Sequence, residues 1–332
     1  MNFKTINDLN NTINVNLYKI PKKIDLVVGV PRSGLFVANI IALYLNLPLA
    51  DLDSFLNKKM FSCGKTRKKD NWISKITKET NALIVEDSSI SGNSLYELKE
   101  KLKKVKCSVT ILTVYVTDGT KDIPDIYFEI CNPPRMFEWN YLHHKNLAKA
   151  CFDIDGVLCV DPTAEQNDDG ERYIQFIRNA PLRVAPSFKI GYLVTSRLEK
   201  YREDTEYWLK KNNIQYDHLI MMQFKTKEER IKSGSHGKFK GEEYSNFTET
   251  NLFVESELRQ AKEIAEISGK VVFCTENQSV IYIPKVIDID KNNQVVDDKL
   301  NNNYFKNKFK SVIKKNVPTP IIRFIKKLLR MT

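Results

Sequence analysis

The sequence predicts an α/β protein with two Rossmann-like domains, each built on a mostly parallel sheet. Two successive series of short apolar runs support this fold class, because each run is rich in Val, Ile and Leu and alternates with helical periodicity. Strands separated by helices typically form parallel sheets that are buried on both faces. The chain of 332 residues, 42% of them hydrophobic, is long enough for two such cores.

The first series occupies the beginning of the chain and predicts a domain over residues 1–148. Its elements are strands at 25–30, 81–87 and 108–116 and helices from Gly34 to about Leu45 and from Gly92 to Lys104. The polar, basic stretch 53–80 fits neither a core helix nor a core strand, so we expect a long mobile loop there.

The second series begins after Asn132-Pro133-Pro134 and predicts a domain over residues 149–284. Its strands are expected within 150–157, 191–196, 218–222, 251–256 and 270–275, and its helices at about 198–212 and 259–268. Trp139 and Tyr141, which precede this series, are expected to pack between the domains. The segment 160–180 has no assigned element and is a candidate small lid.

Residues 285–332 are predicted to form a linker and a basic amphipathic tail. The whole chain carries a net charge of +11, and this segment has ten Lys and two Arg against four Asp, or 12 − 4 = +8. A basic tail on a nearly neutral body is typical of an address or anchor, and we expect no nucleic-acid partner. In 320–331 the apolar residues form one helical stripe, which suits either a membrane surface or a protein partner.

The remaining composition predicts a cytoplasmic protein, peripheral to the inner face of the membrane if the tail binds lipid. The N-terminal residues contain no apolar run of the signal-peptide type, and no uncharged apolar stretch approaches 20 residues. The six cysteines lack the two-residue spacing of zinc or redox sites, so we expect reduced thiols.

A first candidate site lies where two predicted strands of the first domain end. Glu86 and Asp87 end one strand, and a turn rich in hydroxyl groups follows them. Ligands bind beyond the carboxyl ends of parallel strands, where helix N-termini offer free N–H groups. Carboxylates can accept hydrogen bonds from a sugar diol, and the turn can hold a phosphate. The residues of this turn are Ser91, Gly92, Asn93 and Ser94.

This pattern resembles the phosphoribosyl pyrophosphate (PRPP) signature of type I phosphoribosyltransferases. The resemblance implies that the acidic pair holds the ribose 2- and 3-hydroxyls and that the turn holds the 5-phosphate, with Mg²⁺ as cofactor. Arg32, Ser33 and Gly34 resemble the short pyrophosphate loop of this family, and the basic segment 58–69 stands where its flexible loop lies. Ile90 departs from the family, because several purine enzymes have aspartate there and pyrimidine enzymes have threonine.

A second candidate site begins with Asp153 and Asp155 in the sequence FDIDGV. At a strand tip, both carboxylates can turn toward one cation, and Mg²⁺ is the expected metal. The motif resembles the first motif of haloacid dehalogenase-type phosphatases. The resemblance implies that Asp153 is the nucleophile, that Asp155 is the general acid and base, and that Thr195 and a lysine hold the phosphoryl oxygens.

The remaining residues of the second site leave alternatives open. The lysine is either Lys240 or Lys238, of which we favour Lys240, and Glu255 is the expected metal ligand beside Asp153 and Asp155, with Glu257 in reserve. Only 39 residues separate Asp155 from Thr195, so a large cap domain is excluded and a bulky substrate is indicated.

Together the two resemblances predict a bifunctional enzyme, similar to those that install ribofuranose in bacterial polysaccharides. It would transfer 5-phosphoribosyl from PRPP to a glycan acceptor with inversion to a β-linkage, and would then remove the 5-phosphate. The acceptor is expected to be lipid-linked, and the tail could contact a membrane or a glycosyltransferase complex. The alternatives are a nucleobase phosphoribosyltransferase of nucleotide salvage with an attached phosphatase, and a non-catalytic PRPP sensor.

Overall fold

The computed structural model describes residues 1–284, except 63, 65, 67–71 and 235. Part of the predicted basic loop 58–69 and the whole predicted tail 285–332 therefore lie outside the described residues. The described residues belong to one compact unit. Within them, no helix combines the length and the apolar character needed to cross a membrane.

The strands and helices follow one another along the whole described chain. The strands are β1 (Asn2–Lys4), β2 (Leu26–Gly29), β3 (Leu49–Asp51), β4 (Asn81–Ser88), β5 (Ser108–Val116), β6 (Ile126–Ile130), β7 (Arg135–Phe137), β8 (Ala150–Phe152), β9 (Ile190–Leu198), β10 (Tyr216–Met222), β11 (Leu252–Glu255), β12 (Val272–Cys274) and β13 (Ser279–Ile281). The α-helices are α1 (Ile6–Asn16), α2 (Ser33–Leu45), α3 (Leu52–Leu56), α4 (Asn93–Leu102), α5 (Glu171–Asn179), α6 (Arg202–Lys211), α7 (Lys227–Ser233), α8 (His236–Asn246) and α9 (Leu258–Ser268).

The strands form two large parallel sheets and one small ribbon. The first large sheet has the order β3-β2-β4-β5-β6, and all of its pairs are parallel. The second has the order β10-β9-β8-β11-β12-β13, and only β12 and β13 pair antiparallel. The ribbon pairs β1 with β7 in parallel. The prediction of an α/β fold with mostly parallel sheets is confirmed.

Apolar side chains cover both faces of the first sheet, which explains why its strands read as continuous apolar runs. One cluster joins α1 and α2 to Val27, Leu83 and Val85, whereas another on the opposite face joins α4 to Val28 and Ile84. Alternate residues of one strand thus belong to different cores.

Aromatic contacts connect the ribbon to the second sheet. Phe3 of β1 stacks on Phe273 of β12, with the ring centroids 4.6 Å apart. Tyr141, which follows β7, stacks on Phe152 at 6.2 Å and meets Phe273 edge to face at 5.6 Å. Tyr141 therefore packs against the core of the second sheet.

Several short elements lie where the sequence analysis assigned none. Strands β1, β3, β7 and β13 have three residues each, which is too short for a period of two to be recognised. Helix α3 opens the stretch that was expected to be a loop, and α5 occupies part of the segment 160–180.

Candidate active sites

The two polar motifs of the first sheet meet at the carboxyl ends of β2 and β4. These strands are parallel neighbours, with Gly29 opposite Val85. Gly34 packs so closely on β4 that an added Cβ would lie 2.7 Å from the Val85 carbonyl oxygen and 3.2 Å from Glu86 Cα. The segment Arg32–Gly34 therefore adjoins the acidic pair, and the Arg32 residue itself is exposed.

The turn after β4 depends on glycine at position 92. Gly92 has a φ of 84°, and an added Cβ would lie 2.4 Å from Ile123 Cδ1. The positive φ would strain any side chain at this position, and Ile123 would have to move to admit one. Helix α4 begins at the next residue, Asn93, and its first backbone N–H groups lack partners within the helix. Ser91, Asn93 and Ser94 are exposed, so the turn is open to a ligand.

The acidic pair is partly withdrawn from solvent, and burial perturbs both carboxyl groups. Asp87 is 5% exposed and Glu86 is half-buried. Burial, together with the neighbouring charge of Asp87, raises the pKa of Glu86 to about 9. Burial also raises the pKa of Asp87, although a hydrogen bond from Trp139 and the charge of Arg135 oppose this increase.

The side chain of Trp139 contacts the acidic pair as well as packing. Its Nε1 donates a hydrogen bond to Asp87 Oδ2 at 2.9 Å. The indole also stacks on Phe137, with the centroids 4.8 Å apart and the planes 13° apart. The expectation of packing alone therefore missed the hydrogen bond. An aromatic residue 52 positions from the acidic pair gives no sequence signal for such a contact.

The second site lies at the carboxyl ends of three adjacent strands. In the second sheet β8 lies between β9 and β11, and Phe152 is opposite both Leu193 and Val254. This order brings together Asp153 after β8, Thr195 within β9 and Glu255 at the end of β11. All three are buried, with Asp153 5% exposed, Thr195 1% and Glu255 0%.

Lys240 of α8 bridges two of these carboxylates. Its Nζ lies 2.6 Å from Asp153 Oδ2 and 2.7 Å from Glu255 Oε2, and it also donates to Gln260 Oε1 at 2.9 Å. Lys238 instead lies on the exposed face of α8, 3.8 Å from Glu242. Two residues along a helix point to different faces, so only one of the two candidate lysines enters the site.

Asp155 is bound by a residue that the sequence analysis did not consider. The guanidinium of Arg197 donates from Nε to Asp155 Oδ2 at 3.1 Å and from Nη2 to Oδ1 at 2.7 Å. Arg197 is 1% exposed and also donates to Thr205 Oγ1. Its only sequence signal is a basic residue two positions after Thr195 on a strand without other charged residues.

The surroundings of the two aspartates of the FDIDGV motif shift their pKa values in opposite directions. Burial raises the pKa of Asp153 to about 7, although Lys240 opposes the increase and Glu255 adds to it. Burial also acts to raise the pKa of Asp155, but the charge and hydrogen bonds of Arg197 outweigh burial and lower it. Asp155 is therefore held ionised, whereas burial disfavours the charge on Asp153 and the contact with Lys240 favours it.

A cavity of about 530 Å³ opens above these residues. Arg230 of α7 and His236 of α8 contribute to its wall, together with Pro162 and Asn167 from the segment 160–180. Burial and the charges of Arg230 and Lys240 lower the pKa of His236 to about 4, so this imidazole is neutral at physiological pH. The segment expected to form a small lid therefore contributes to the cavity wall.

The predicted metal ligands do not form a joint cluster. Among the described residues, no group of three or more His, Cys, Asp or Glu side chains is arranged to hold a metal ion. Asp153 and Glu255 converge on one point, which the Lys240 ammonium occupies, and both oxygens of Asp155 are bonded to Arg197. The oxygen donors of Asp153 and Glu255 fit Mg²⁺, whereas the Asp155 side chain does not. Glu257 is turned toward Arg259 and Gln260.

Comparison with known proteins identifies one domain. Residues 3–143, which are less than half of the chain, match the family model of the phosphoribosyl transferase domain. This segment is a phosphoribosyltransferase-type domain, and it contains the acidic pair, the turn and the Arg32 segment. No curated protein matches the chain.

Solved structures that resemble the chain include phosphoribosyltransferases from three organisms. A purine phosphoribosyltransferase from Pyrococcus horikoshii Ot3 has 22% identity and a TM-score of 0.31, covering 42% of this chain and 92% of its own. Xanthine-guanine-hypoxanthine phosphoribosyltransferase from Helicobacter pylori has 17% identity, a TM-score of 0.31 and the same coverage. A hypoxanthine phosphoribosyltransferase from Staphylococcus aureus has 16% identity and a TM-score of 0.27, covering 39% of this chain and 76% of its own.

Proposed function

We propose that the protein transfers a 5-phosphoribosyl group from PRPP to a glycan acceptor and then removes the 5-phosphate. The observation that carries this proposal is the pair of carboxylate sites at the carboxyl ends of two parallel sheets in one chain. The first, around Glu86 and Asp87, lies in the phosphoribosyltransferase-type domain. The second, around Asp153 and Lys240, belongs to the sheet that begins at residue 150.

The first site would act by binding PRPP and stabilising the departure of pyrophosphate. Glu86 and Asp87 would accept hydrogen bonds from the ribose 2- and 3-hydroxyls, and the N–H groups and hydroxyls of 91–94 would hold the 5-phosphate. Arg32 would interact with the pyrophosphate. The oxygen of an acceptor hydroxyl then forms a bond to the anomeric carbon as the bond to pyrophosphate breaks, and the hydroxyl proton passes to the departing pyrophosphate. This substitution inverts the configuration to a β-linkage.

The second site would hydrolyse the 5-phosphate through a covalent intermediate. The order β9-β8-β11 is consistent with a haloacid dehalogenase-like domain, in which a nucleophilic aspartate follows the central strand. Asp153 would attack phosphorus to form an aspartyl-phosphate, while Thr195 and Lys240 hold phosphoryl oxygens. Mg²⁺ would bind to Asp153 and Glu255 in place of the Lys240 ammonium, which would then turn to the phosphoryl oxygens, and it would neutralise charge on the phosphoryl group.

Asp155 would supply and recover the proton in this hydrolysis. Arg197 keeps it ionised before substrate arrives. The negative charge of a phosphoryl group beside it would raise its pKa and let it take up a proton, which it donates to the leaving ribose oxygen. Once again ionised, it would accept a proton from the water that attacks the aspartyl-phosphate.

A glycan acceptor is supported by two features of the chain. Position 90 carries Ile, whose side chain cannot take a proton from a purine base. The second site would also remove the 5-phosphate and leave an unphosphorylated ribofuranosyl unit. Such a unit suits a role in the synthesis of bacterial surface polysaccharides. The basic tail 285–332 remains a proposed contact with a membrane surface or a glycosyltransferase complex, with each basic residue near anionic lipid contributing about 1 kcal/mol.

Incubation with PRPP labelled in the ribose distinguishes this function from nucleotide salvage and from sensing. We expect label to enter a lipid-linked glycan, with release of pyrophosphate that depends on the acceptor. Label that enters free nucleobases but never a glycan would instead support salvage. Binding of PRPP without acceptor-dependent release of pyrophosphate would support a sensor. Asp87→Ala provides the control without transfer activity.

A further inference from the structure

The Trp139 side chain contacts the acidic pair, although Trp139 does not belong to the sheet that contains Glu86 and Asp87. Trp139 follows β7, which pairs with β1 and not with the strands around β4. Its indole nevertheless donates the 2.9 Å hydrogen bond to Asp87 Oδ2, and Asp87 is 5% exposed. A buried carboxylate that accepts a hydrogen bond from an N–H group is held in one orientation.

Aromatic neighbours fix the indole that makes this bond. Trp139 stacks on Phe137 at 4.8 Å and on Tyr115 at 6.3 Å, with 24° between the planes of the second pair. Tyr115 lies on β5 directly opposite Ser88, the residue after Asp87. The ring stack therefore extends from Tyr115 on β5, the strand next to the acidic pair, to the Trp139 indole that contacts Asp87.

The carboxyl group of Asp87 is also held from its own strand. It hydrogen-bonds the Ser88 backbone and the Glu86 carboxyl group, and Arg135 of β7 provides a nearby positive charge. The indole is thus a neutral donor to Asp87 from a residue outside the first sheet. Without the indole N–H group, the Asp87 carboxyl group would lose one of the hydrogen bonds that fix its orientation.

We propose that Trp139 is a positioning residue for PRPP binding, whose indole N–H holds Asp87 in the orientation that accepts the ribose hydroxyl. This inference rests on the proposed function of the first site. According to this inference, Trp139, which lies between β7 and β8 in the sequence, contributes to the affinity for PRPP. Trp139 itself need not touch PRPP. Loss of one hydrogen bond to a carboxylate is expected to weaken PRPP binding about tenfold.

Trp139→Phe tests the proposal because it keeps an aromatic ring in the stack and removes the N–H group, although the ring is smaller. Trp72→Phe is a matched control, since it also removes an indole hydrogen bond in the same half of the chain, to the Asn46 carbonyl oxygen at the far end of α2. Calorimetry with PRPP and Mg²⁺ should give about tenfold weaker binding for Trp139→Phe and unchanged binding for Trp72→Phe. In the transfer assay, KM for PRPP should rise while kcat changes little.

Hydrolysis of p-nitrophenyl phosphate by the second site serves as the folding readout and should be equal in both variants. Unchanged PRPP affinity of a folded Trp139→Phe protein would overturn the inference and leave the proposed function standing. Absence of PRPP binding by the wild-type protein would overturn both. Should Trp139→Phe fail to fold, Trp72→Phe/Trp208→Phe leaves Trp139 as the sole tryptophan. Because the indole is hydrogen-bonded to the carboxylate that would bind the ribose, PRPP should then change the Trp139 emission, and an unchanged spectrum at saturation would contradict the inference.

Discussion

Replacement of Glu86 by Gln should stabilise the protein at alkaline pH while weakening PRPP binding. Burial and the charge of Asp87 raise the pKa of Glu86 from 4.5 to about 9. Between these two values the folded chain keeps a proton that the unfolded chain releases. Folding stability must therefore fall as the pH rises through this window, and is fully retained only below it.

The size of the effect follows from the width of that window. Each pH unit above the pKa of Glu86 in the unfolded chain lowers the free energy of unfolding by about 1.4 kcal/mol. At about pH 8 the loss is therefore at most about 5 kcal/mol. Sharing of the proton between Glu86 and Asp87 reduces this value, because the pair titrates jointly. We expect Glu86→Gln, which cannot ionise, to exceed the wild type by about 2 kcal/mol at about pH 8 and to match it near pH 5.

Urea unfolding followed by circular dichroism at several pH values measures the difference directly. Glu97→Gln on α4 is the matched control, because Glu97 is exposed and lies outside the pair. The same Glu86→Gln protein should bind PRPP more weakly than the wild type, since one acceptor for the ribose diol is replaced. A stability difference that does not change between about pH 5 and about pH 8 would refute this account of the pair.

Three further substitutions separate the two sites. Asp153→Asn should preserve transfer and leave the 5-phosphate on the product, and a dephosphorylated product in mass spectrometry would contradict the assignment. Asp87→Ala should abolish transfer while hydrolysis of a supplied phosphoribosyl glycan continues, and loss of both activities in a folded protein would argue against separate sites. Arg197→Met leaves the partly buried Asp155 carboxylate without its cation, so it should cost about 3 kcal/mol in urea unfolding and most of the phosphatase activity. A cost below about 1 kcal/mol would show that Asp155 does not depend on the pair.

Much of the fold could be predicted because the central strands are apolar and end in polar residues. The sequence around β4 changes from Ala82–Val85 to Glu86 and Asp87, and FDIDGV changes in the same way after Phe152. In a parallel sheet such transitions fall at one edge. This rule is sufficient to bring Arg32–Gly34 close to the acidic pair.

The contacts that decide the electrostatics could not be predicted, because they join distant residues. Arg197 lies 42 positions from Asp155, and nothing in a strand sequence tells which buried cation will pair with it. Trp139 reaches Asp87 from the residues after β7, which pairs with β1, and three-residue strands carry no readable period. The choice between Lys238 and Lys240 likewise needs the orientation of α8, which depends on tertiary packing.

The central claim is that the acidic pair binds an activated pentose, and a crystal structure with PRPP and Mg²⁺ tests it most directly. In that structure we expect the ribose 2- and 3-hydroxyls to donate to Glu86 and Asp87, with the 5-phosphate on the turn 91–94 and the pyrophosphate beside Arg32. PRPP bound elsewhere, or no PRPP at this edge of the sheet at saturating concentration, would contradict it.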